Sequence, residues 1–347
     1  MSEEYELRSV SDPIRWNRIV DESPSRYFSQ LWEWGEVQRP IGWEPWRLEL
    51  VPGSVADGAP IAAAQMLVRR LPGIGWGIAH ASRGPVLGRS AEAWARFEVA
   101  LARWARENRI ATLVFDPDVS PESQLGIAIT RPPWNEAPML GEPRCHVVDV
   151  LPEAELWANV RRKHREWIRR AERANIAVRW TDEHSSGPDA QLAIGQFQRV
   201  YGEIAQRIGV PLKDPEYYQD MWETLRGAGR AHLVTATTDG TPVGAMLHFT
   251  CGDEMLWFAG GQAAEGASQG VGKLLIWRSM IRASELGFRR YNMWGTATDG
   301  LAHFKLGFGA REELYVGTRA MSVNGPMDLV LRAAWRARQL GRRVMRR

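Results

Sequence analysis

Twice along this chain, short apolar runs of strand length alternate with segments of helical period, in the same order and over similar lengths. A chain with that grammar is confined to layered α/β modules, because each strand must cover an apolar face with a helix. In the first pass, residues 28–37 predict a short helix with its aromatics on one side. Residues 46–51 and 61–68 predict two strands joined by a Gly/Pro-rich turn. Residues 82–87 predict a loop and strand edge, since Gly84-Pro85 breaks regular structure. Residues 91–108 place Trp94, Phe97, Leu101 and Trp104 at helical spacing. Residues 111–115 are then a buried strand ending at Asp116-Pro117.

A Pro-rich stretch follows, and a new strand at residues 146–150 puts the boundary between modules near residue 145. The second pass predicts a helix over 153–174, a strand over 177–180, and helices over 189–208 and 215–227. Strands over 231–237, 243–250 and 254–259 come next, the first two joined at Asp239-Gly240. A helix over 270–286 and a strand over 290–294 complete it. A last strand over 313–323 and a terminal helix are placed to return to the first module. The chain reads as a duplicated α/β unit, although no repetition is visible residue by residue.

The chain has 347 residues, enough for two domains, and its two cysteines, Cys145 and Cys251, offer neither a disulfide framework nor metal-ligand spacing. No metal is expected, and a reducing cytoplasm is. The acidic N-terminus lacks the apolar core of a signal peptide, and no run approaches the roughly 18 apolar residues of a membrane span. The net charge of +3 is focused: residues 326–347 carry +6 and residues 156–173 carry +5, which leaves about −8 elsewhere. Two basic segments on an otherwise acidic chain point to anionic partners at those places.

On a helical wheel, Leu156, Trp157, Val160, Trp167, Ile168, Ala171 and Ala174 gather on one side. Arg161, Arg162, Arg165, Arg169 and Arg173 fall on the other. A solvated basic face and a phosphate-binding face both fit, and Arg is the better bidentate phosphate partner. His164 falls on the apolar side and is expected to be a packed histidine. The stretch 268–275 (SQGVGKLL) follows a strand and opens a helix, where backbone N–H groups can hold a phosphate. Lys305, between Phe304 and Leu306, is the sole lysine after Lys273 in an Arg-rich chain. A compact ammonium near apolar neighbours suits work that Arg does less well.

Several stretches together resemble the FemABX family of GNAT-like, non-ribosomal peptidyltransferases. Residues 29–35 (SQLWEWG) are similar to its N-terminal W-G motif, Arg83-Gly84-Pro85-Val86 to its R-G-P-V, and Phe115-Asp116-Pro117 to its I/F-D-P. Residues 161–172 are similar to its K-x-R-x-x-I-x-x-A-E helix. Arg207 stands where the family has an Arg before a bulky residue. Gly295-Thr296, Gly300-Leu301 and Phe304-Lys305-x-x-Phe308-Gly309 are similar to its final motif. The resemblance covers almost the whole length, and its pieces occur in the family's order.

The resemblance implies two tandem GNAT-like modules of α/β (α+β) class, with mixed sheets flanked by helices: residues 1–145 plus 319–347, and residues 146–318. It implies an aminoacyltransferase that moves an amino acid from aminoacyl-tRNA to the amine of a peptidoglycan-precursor stem peptide, with no other cofactor. Lys305 would stabilise the oxyanion, and Asp116 would position the attacking amine and accept its proton. Arg207, Gln38, Arg83, Phe304 and Trp257 would bind substrate. Gln269, Gly270, Gly272 and Lys273, with Arg161, Arg165 and Arg169, would hold tRNA phosphates. Where some members have a phosphate-binding Lys after the W-G motif, this chain has Gln38 with Arg39 next to it. The long coiled-coil arm of some members has no room here.

The stretch 270–275 is also similar to the coenzyme A signature of GNAT enzymes, so an acyl-CoA-dependent N-acyltransferase is the first alternative. A non-catalytic RNA or membrane-surface binder, resting on the two basic segments, is the second. In residues 327–347, Met327, Val330, Leu331, Ala334, Trp335 and Met345 share a side, and Arg332, Arg336, Arg343 and Arg347 line another. Such a helix suits either the anionic cytoplasmic face of the inner membrane or packing on the first module. The acceptor would be UDP-linked or lipid-linked, and the enzyme a cytoplasmic monomer.

Overall fold

A computed structural model describes residues 5–53, 59–87, 90–138, 143–295 and 298–344, the side chains of Leu87 and residues 335–344 excepted. The strands are β1 Tyr5–Ser9, β2 Glu44–Pro52, β3 Ala62–Arg70, β4 Gly77–Ala81, β5 Val86–Leu87, β6 Ile110–Phe115, β7 Asn135–Glu136, β8 Arg144–Asp149, β9 Ala177–Thr181, β10 Ala231–Thr238, β11 Thr241–Cys251, β12 Glu254–Gln262, β13 Arg290–Gly295, β14 Arg311–Leu314 and β15 Arg319–Ser322. The helices are α1 Pro13–Glu22, α2 Trp32–Gln38, α3 Ala91–Glu107, α4 Gln124–Ile129, α5 Glu153–Asn159, α6 Arg162–Arg173, α7 Gly187–Ile208, α8 Pro215–Gly227, α9 Ala264–Ala267, α10 Val271–Glu285, α11 Asp299–Leu306 and α12 Gly325–Val344.

The chain divides into two compact units, residues 1–143 with 314–347, and residues 144–313. The first sheet runs β1-β2-β3-β4-β6-β15-β7, with β5 also on β3; the second runs β14-β8-β13-β12-β11-β10-β9. Read from β1 and from β9, the two orders correspond strand for strand. Each holds a parallel pair, β4 with β6 and β12 with β13, and the crossover between them carries a long helix, α3 or α10. The duplication is therefore one of topology. The sixth position is filled by β8 in the second sheet, but by β15, from the end of the chain, in the first. That is why the C-terminal segment returns to the first unit.

In the first unit α3 is started by Ser90, whose Oγ accepts from Ala93 N at 3.2 Å. Its Trp94, Phe97, Leu101 and Trp104 pack on Leu48, Met66, Val68, Leu113 and Phe115 of the sheet. On the other face, Thr112 of β6, which alternates with Leu113, donates to Asp328 of α12 at 2.6 Å. In the second unit α5, α6 and α10 bury Leu156, Ile168, Leu275 and Met280 against Val234, Met246, Met255 and Tyr291. Long α7 lies along β10, β11 and β12 and ends at Gly209, whose φ of +70° is a left-handed cap.

Three expectations are corrected by tertiary contacts. Residues 28–37 form a 3-10 turn (Phe28–Gln30) and then α2, because Trp16 Nε1 takes Gln30 O at 2.7 Å and Gln65 Nε2 takes Leu31 O at 2.8 Å. Residues 153–174 form two helices, not one. The chain opens at Val160 and Arg161, where Arg161 N donates to Gly307 O at 2.9 Å. Residues 313–323 are split between the sheets: β14 closes the second, and β15 pairs with β6 in the first. Strands β1 and β4 and helix α1 are elements that the periodicity does not announce.

Asp328 is buried, which raises its pKa, but hydrogen bonds from Arg332 and Thr112 outweigh burial and hold it below the usual carboxylate value. A depressed native pKa contributes stability that is present above the unfolded value of about 3.9 and is lost as pH falls through the native one. Asp328→Ala should therefore cost about 1–2 kcal/mol at pH 7 and markedly less in acid. Denaturant melts of both proteins at the two pH values check this; an equal difference at both would contradict it.

Candidate active site

Lys305 lies in α11, which Thr298 starts by accepting from Leu301 N. The side chain is only 2% exposed. Its Nζ donates to Gly295 O at 2.6 Å and to Trp294 O at 3.2 Å, and stands 5.6 Å from the centre of the Trp257 ring. Those carbonyls are presented by an irregularity at the end of β13. The pairing with β8 shifts register between Asn292 and Gly295, and Trp294 has a left-handed φ of +60°. Asn292 holds that bend by accepting from Trp294 N at 2.8 Å. Backbone strain is thus kept at the point where the ammonium docks.

Burial lowers the pKa of both neighbouring histidines. His146, fully buried in β8, is pushed down by burial first and then by the positive charge of Lys305. His164 is pushed down by burial, while its Nε2 donates to Phe304 O at 3.1 Å. The ring packs edge-on against Phe308 at 4.8 Å, and a Cβ at Gly307 would stand 2.4 Å from Nε2. His164 is the packed histidine that its place on the apolar side predicts. Together with the bond from Arg161 N to Gly307 O, it binds the start of α6 to the end of α11. Two motif stretches far apart in sequence are therefore one construction.

At the start of α10, Gly270 has φ +80°, and a Cβ there would meet Trp167 at 3.1 Å. Gly272 N donates to Gln262 Oε1 at 2.7 Å. Both glycines are thus explained by contacts within the protein, and one N–H of this helix start already has a side-chain partner. Gln269 approaches Thr238 at 3.5 Å. Lys273 lies between the Trp167 and Phe304 rings, 5.4 and 5.3 Å from their centres, and burial lowers its pKa. Arg207, exposed in the last turn of α7, reaches Gln262 O at 3.5 Å.

The arginine arc is less uniform than the wheel predicts. Arg161 meets His303, Arg165 donates to Trp157 O at 3.3 Å, Arg169 stands over the Trp157 ring and Arg162 pairs with Glu166. A histidine ring, a carbonyl, an aromatic face and a carboxylate take one arginine each.

In the first unit Asp116 sits just past β6, 3% exposed. Its Oδ1 accepts from Arg83 N at 2.9 Å and from His80 Nε2 at 3.0 Å. Arg83 has φ +52°, and its buried guanidinium stands 5.5 and 5.4 Å from the Tyr27 and Tyr315 ring centres. Ser29 Oγ and Gln30 Nε2 both donate to Ser82 O at 2.7 Å, and a Cβ at Gly84 would collide with the Gln30 amide at 2.8 Å. The S-Q, R-G-P-V and D-P stretches thus form one hydrogen-bonded assembly around a carboxylate. Gln38 is buried at the end of α2, and Arg39 is paired with Glu36 at 2.7 Å. His80 and Gln262 carry no motif, and sequence reasoning passes over both.

Among the described residues, Asp182, Glu183 and His232 bring ligand atoms within 4.8 Å of one another. Arg282 Nη2 donates to Asp182 there at 3.3 Å, so a guanidinium already stands at the carboxylate a cation would need. Thr296 and the side chains of Trp335, Arg336, Arg343, Met345 and Arg347 lie outside the described residues.

Residues 158–306 match the acetyltransferase (GNAT) domain. Along the whole chain the fold is similar to that of FemX, with a TM-score of 0.81 at 16% identity, covering 94% of this chain and 99% of that one. It is similar also to a tandem GNAT protein from the clavulanic acid biosynthesis pathway (TM-score 0.56, 12% identity, 92% and 99% covered). The L-PGS of Bacillus licheniformis gives 0.54 at 14% identity, with 92% and 95% covered. No curated protein matches the chain by sequence. Two units of one topology, the second matched by the GNAT domain, define a tandem GNAT fold. Within that class the fold is similar to that of FemX.

Proposed function

We propose that this acyltransferase moves an amino acid from aminoacyl-tRNA to the amine of a peptidoglycan-precursor stem peptide. The observation that carries the reading is Lys305: a buried ammonium of an F-K-x-x-F segment, set by two backbone carbonyls at a strained strand end. The stem amine attacks the carbonyl carbon of the aminoacyl ester, and negative charge gathers on the former carbonyl oxygen. Lys305 stabilises that charge, an effect worth roughly 3 kcal/mol in a partly dried site. An amine of the Lys type is mostly protonated at pH 7, so a base must take a proton before attack. Asp116 has that role. As the C–O bond to the tRNA ribose breaks, the ribose oxygen takes up a proton, leaving an amide and a free hydroxyl.

Arg207, Gln38, Arg83, Phe304 and Trp257 are assigned to the substrates. Gln269, Gly270, Gly272, Lys273, Arg161, Arg165 and Arg169 are assigned to the acyl-tRNA end. Gly272 N is already bonded to Gln262 and Gly270 packs on Trp167, so at the α10 start Lys273 is the group left to meet a phosphate of either donor. The acceptor is UDP-linked or lipid-linked. Charged tRNA places the reaction in the cytoplasm, and the basic end of α12 is assigned to the inner membrane surface. The enzyme works as a monomer without a further cofactor.

Incubation with charged tRNAs and a UDP-linked muramyl pentapeptide should raise the acceptor mass by one aminoacyl residue. Acetylating the stem-peptide side-chain amine should abolish the gain. Transfer that persists on the acetylated acceptor would overturn the assignment of the nucleophile.

A further inference from the structure

We infer that His80 is the positioning residue of Asp116. The inference deepens the reading of Asp116 as the group that meets the attacking amine, and rests on it. Parallel pairing of β4 with β6 sets His80 opposite Val114 and Ala81 opposite Phe115, one residue short of Asp116. The turn after β4 then brings Arg83 N to the same carboxylate. Both donors land on Oδ1, His80 Nε2 at 3.0 Å and Arg83 N at 2.9 Å.

A carboxylate offers two equivalent oxygens, and a short side chain can exchange them by rotation about χ2. Two N–H donors on one oxygen end that equivalence. Oδ1 becomes the anchored oxygen, and Oδ2, which takes neither bond, is the more basic one to meet an amine. The Arg83 donor belongs to the backbone, so His80 is the only side chain in the pair. Its neighbours in β4, Ala79 and Ala81, point into the apolar core and are 0% exposed. His80 points to the opposite face, so its ring does not fill that core. What it supplies is the Nε2–H.

His80→Leu removes the donor, and His80→Gln returns an N–H at about the position of Nε2. The Leu variant should lose about 10–30-fold in kcat with KM for both substrates within about twofold, and the Gln variant should stay within about threefold of the parent. In an Asp116→Ala background, His80→Leu should have no further effect on kcat, because its action runs through Asp116. Melting temperatures of all variants accompany the rates; if the Leu variant does not fold, His80→Thr, too short to reach Oδ1, takes its place.

Unchanged kcat in the Leu variant would overturn the inference. So would an equal loss in Leu and Gln variants, or additive losses in the double variant. If the parent transfers nothing from aminoacyl-tRNA but acts with an acyl-CoA, the donor reading fails, and the same variants are compared with that donor.

Discussion

Lys305→Ala should lower kcat by about 10²–10³-fold with little change in KM for either substrate, the pattern expected when a group acts on charge that exists only in the transition state. The substitution also removes the donor to Trp294 O and Gly295 O. Losing hydrogen bonds to these half-buried carbonyls costs about 1 kcal/mol each, so the variant should melt lower as well. Lys305→Gln separates the two effects. Its amide can donate to one of those carbonyls and so recover part of the stability, but it carries no charge and should recover little of the rate. Equal recovery of both would mean that Lys305 serves the fold and not the chemistry. Loss of the charge should also relieve His146, whose pKa the Lys305 ammonium helps to depress. An NMR titration of His146 in the Gln variant should therefore show an upward shift.

Asp116→Asn should cost about 10²–10⁴-fold in kcat at pH 7, the range for removing a general base. The Asn carbonyl can still accept from Arg83 N and His80, so the fold around the R-G-P-V stretch is kept. The sign of the pH dependence is specific. The variant cannot take a proton from the stem ammonium, so its rate should rise with pH as the free amine becomes available by itself, and its deficit against the parent should narrow towards pH 9–10, near an ordinary amine pKa of about 10.4. A deficit that stays constant over that range would assign Asp116 to orientation alone.

How far the sequence anticipates these sites depends on where each interaction originates. Helix α3 is legible because Trp94, Phe97, Leu101 and Trp104 repeat at 3–4 spacing and all four bury. Strand β4, with the sequence GIAHA, is not: glycine and alanine dilute its alternation, and its place comes from parallel pairing with β6. The break between α5 and α6 has no local signal, since Val160 and Arg161 are ordinary helix residues. It is imposed by Gly307 O, far along the chain. Lys305 is conspicuous as a lone lysine and Asp116 as an Asp-Pro, whereas the groups that orient them are not. His80 is one histidine in a short strand, and the Trp294 bend is hidden in a stretch that reads as regular. Sequence pattern marks residues with unusual chemistry; the partners that aim them are chosen by topology.

The assignment of the donor is tested most directly by competition. The protein, a muramyl pentapeptide acceptor, tRNA charged with isotopically heavy amino acid and an equal concentration of acetyl-CoA are mixed, and the product is read by mass spectrometry. The account predicts an acceptor heavier by the labelled aminoacyl residue, with none acetylated, and no such product with Lys305→Ala on the same time scale. An acetylated acceptor without the labelled residue would contradict it.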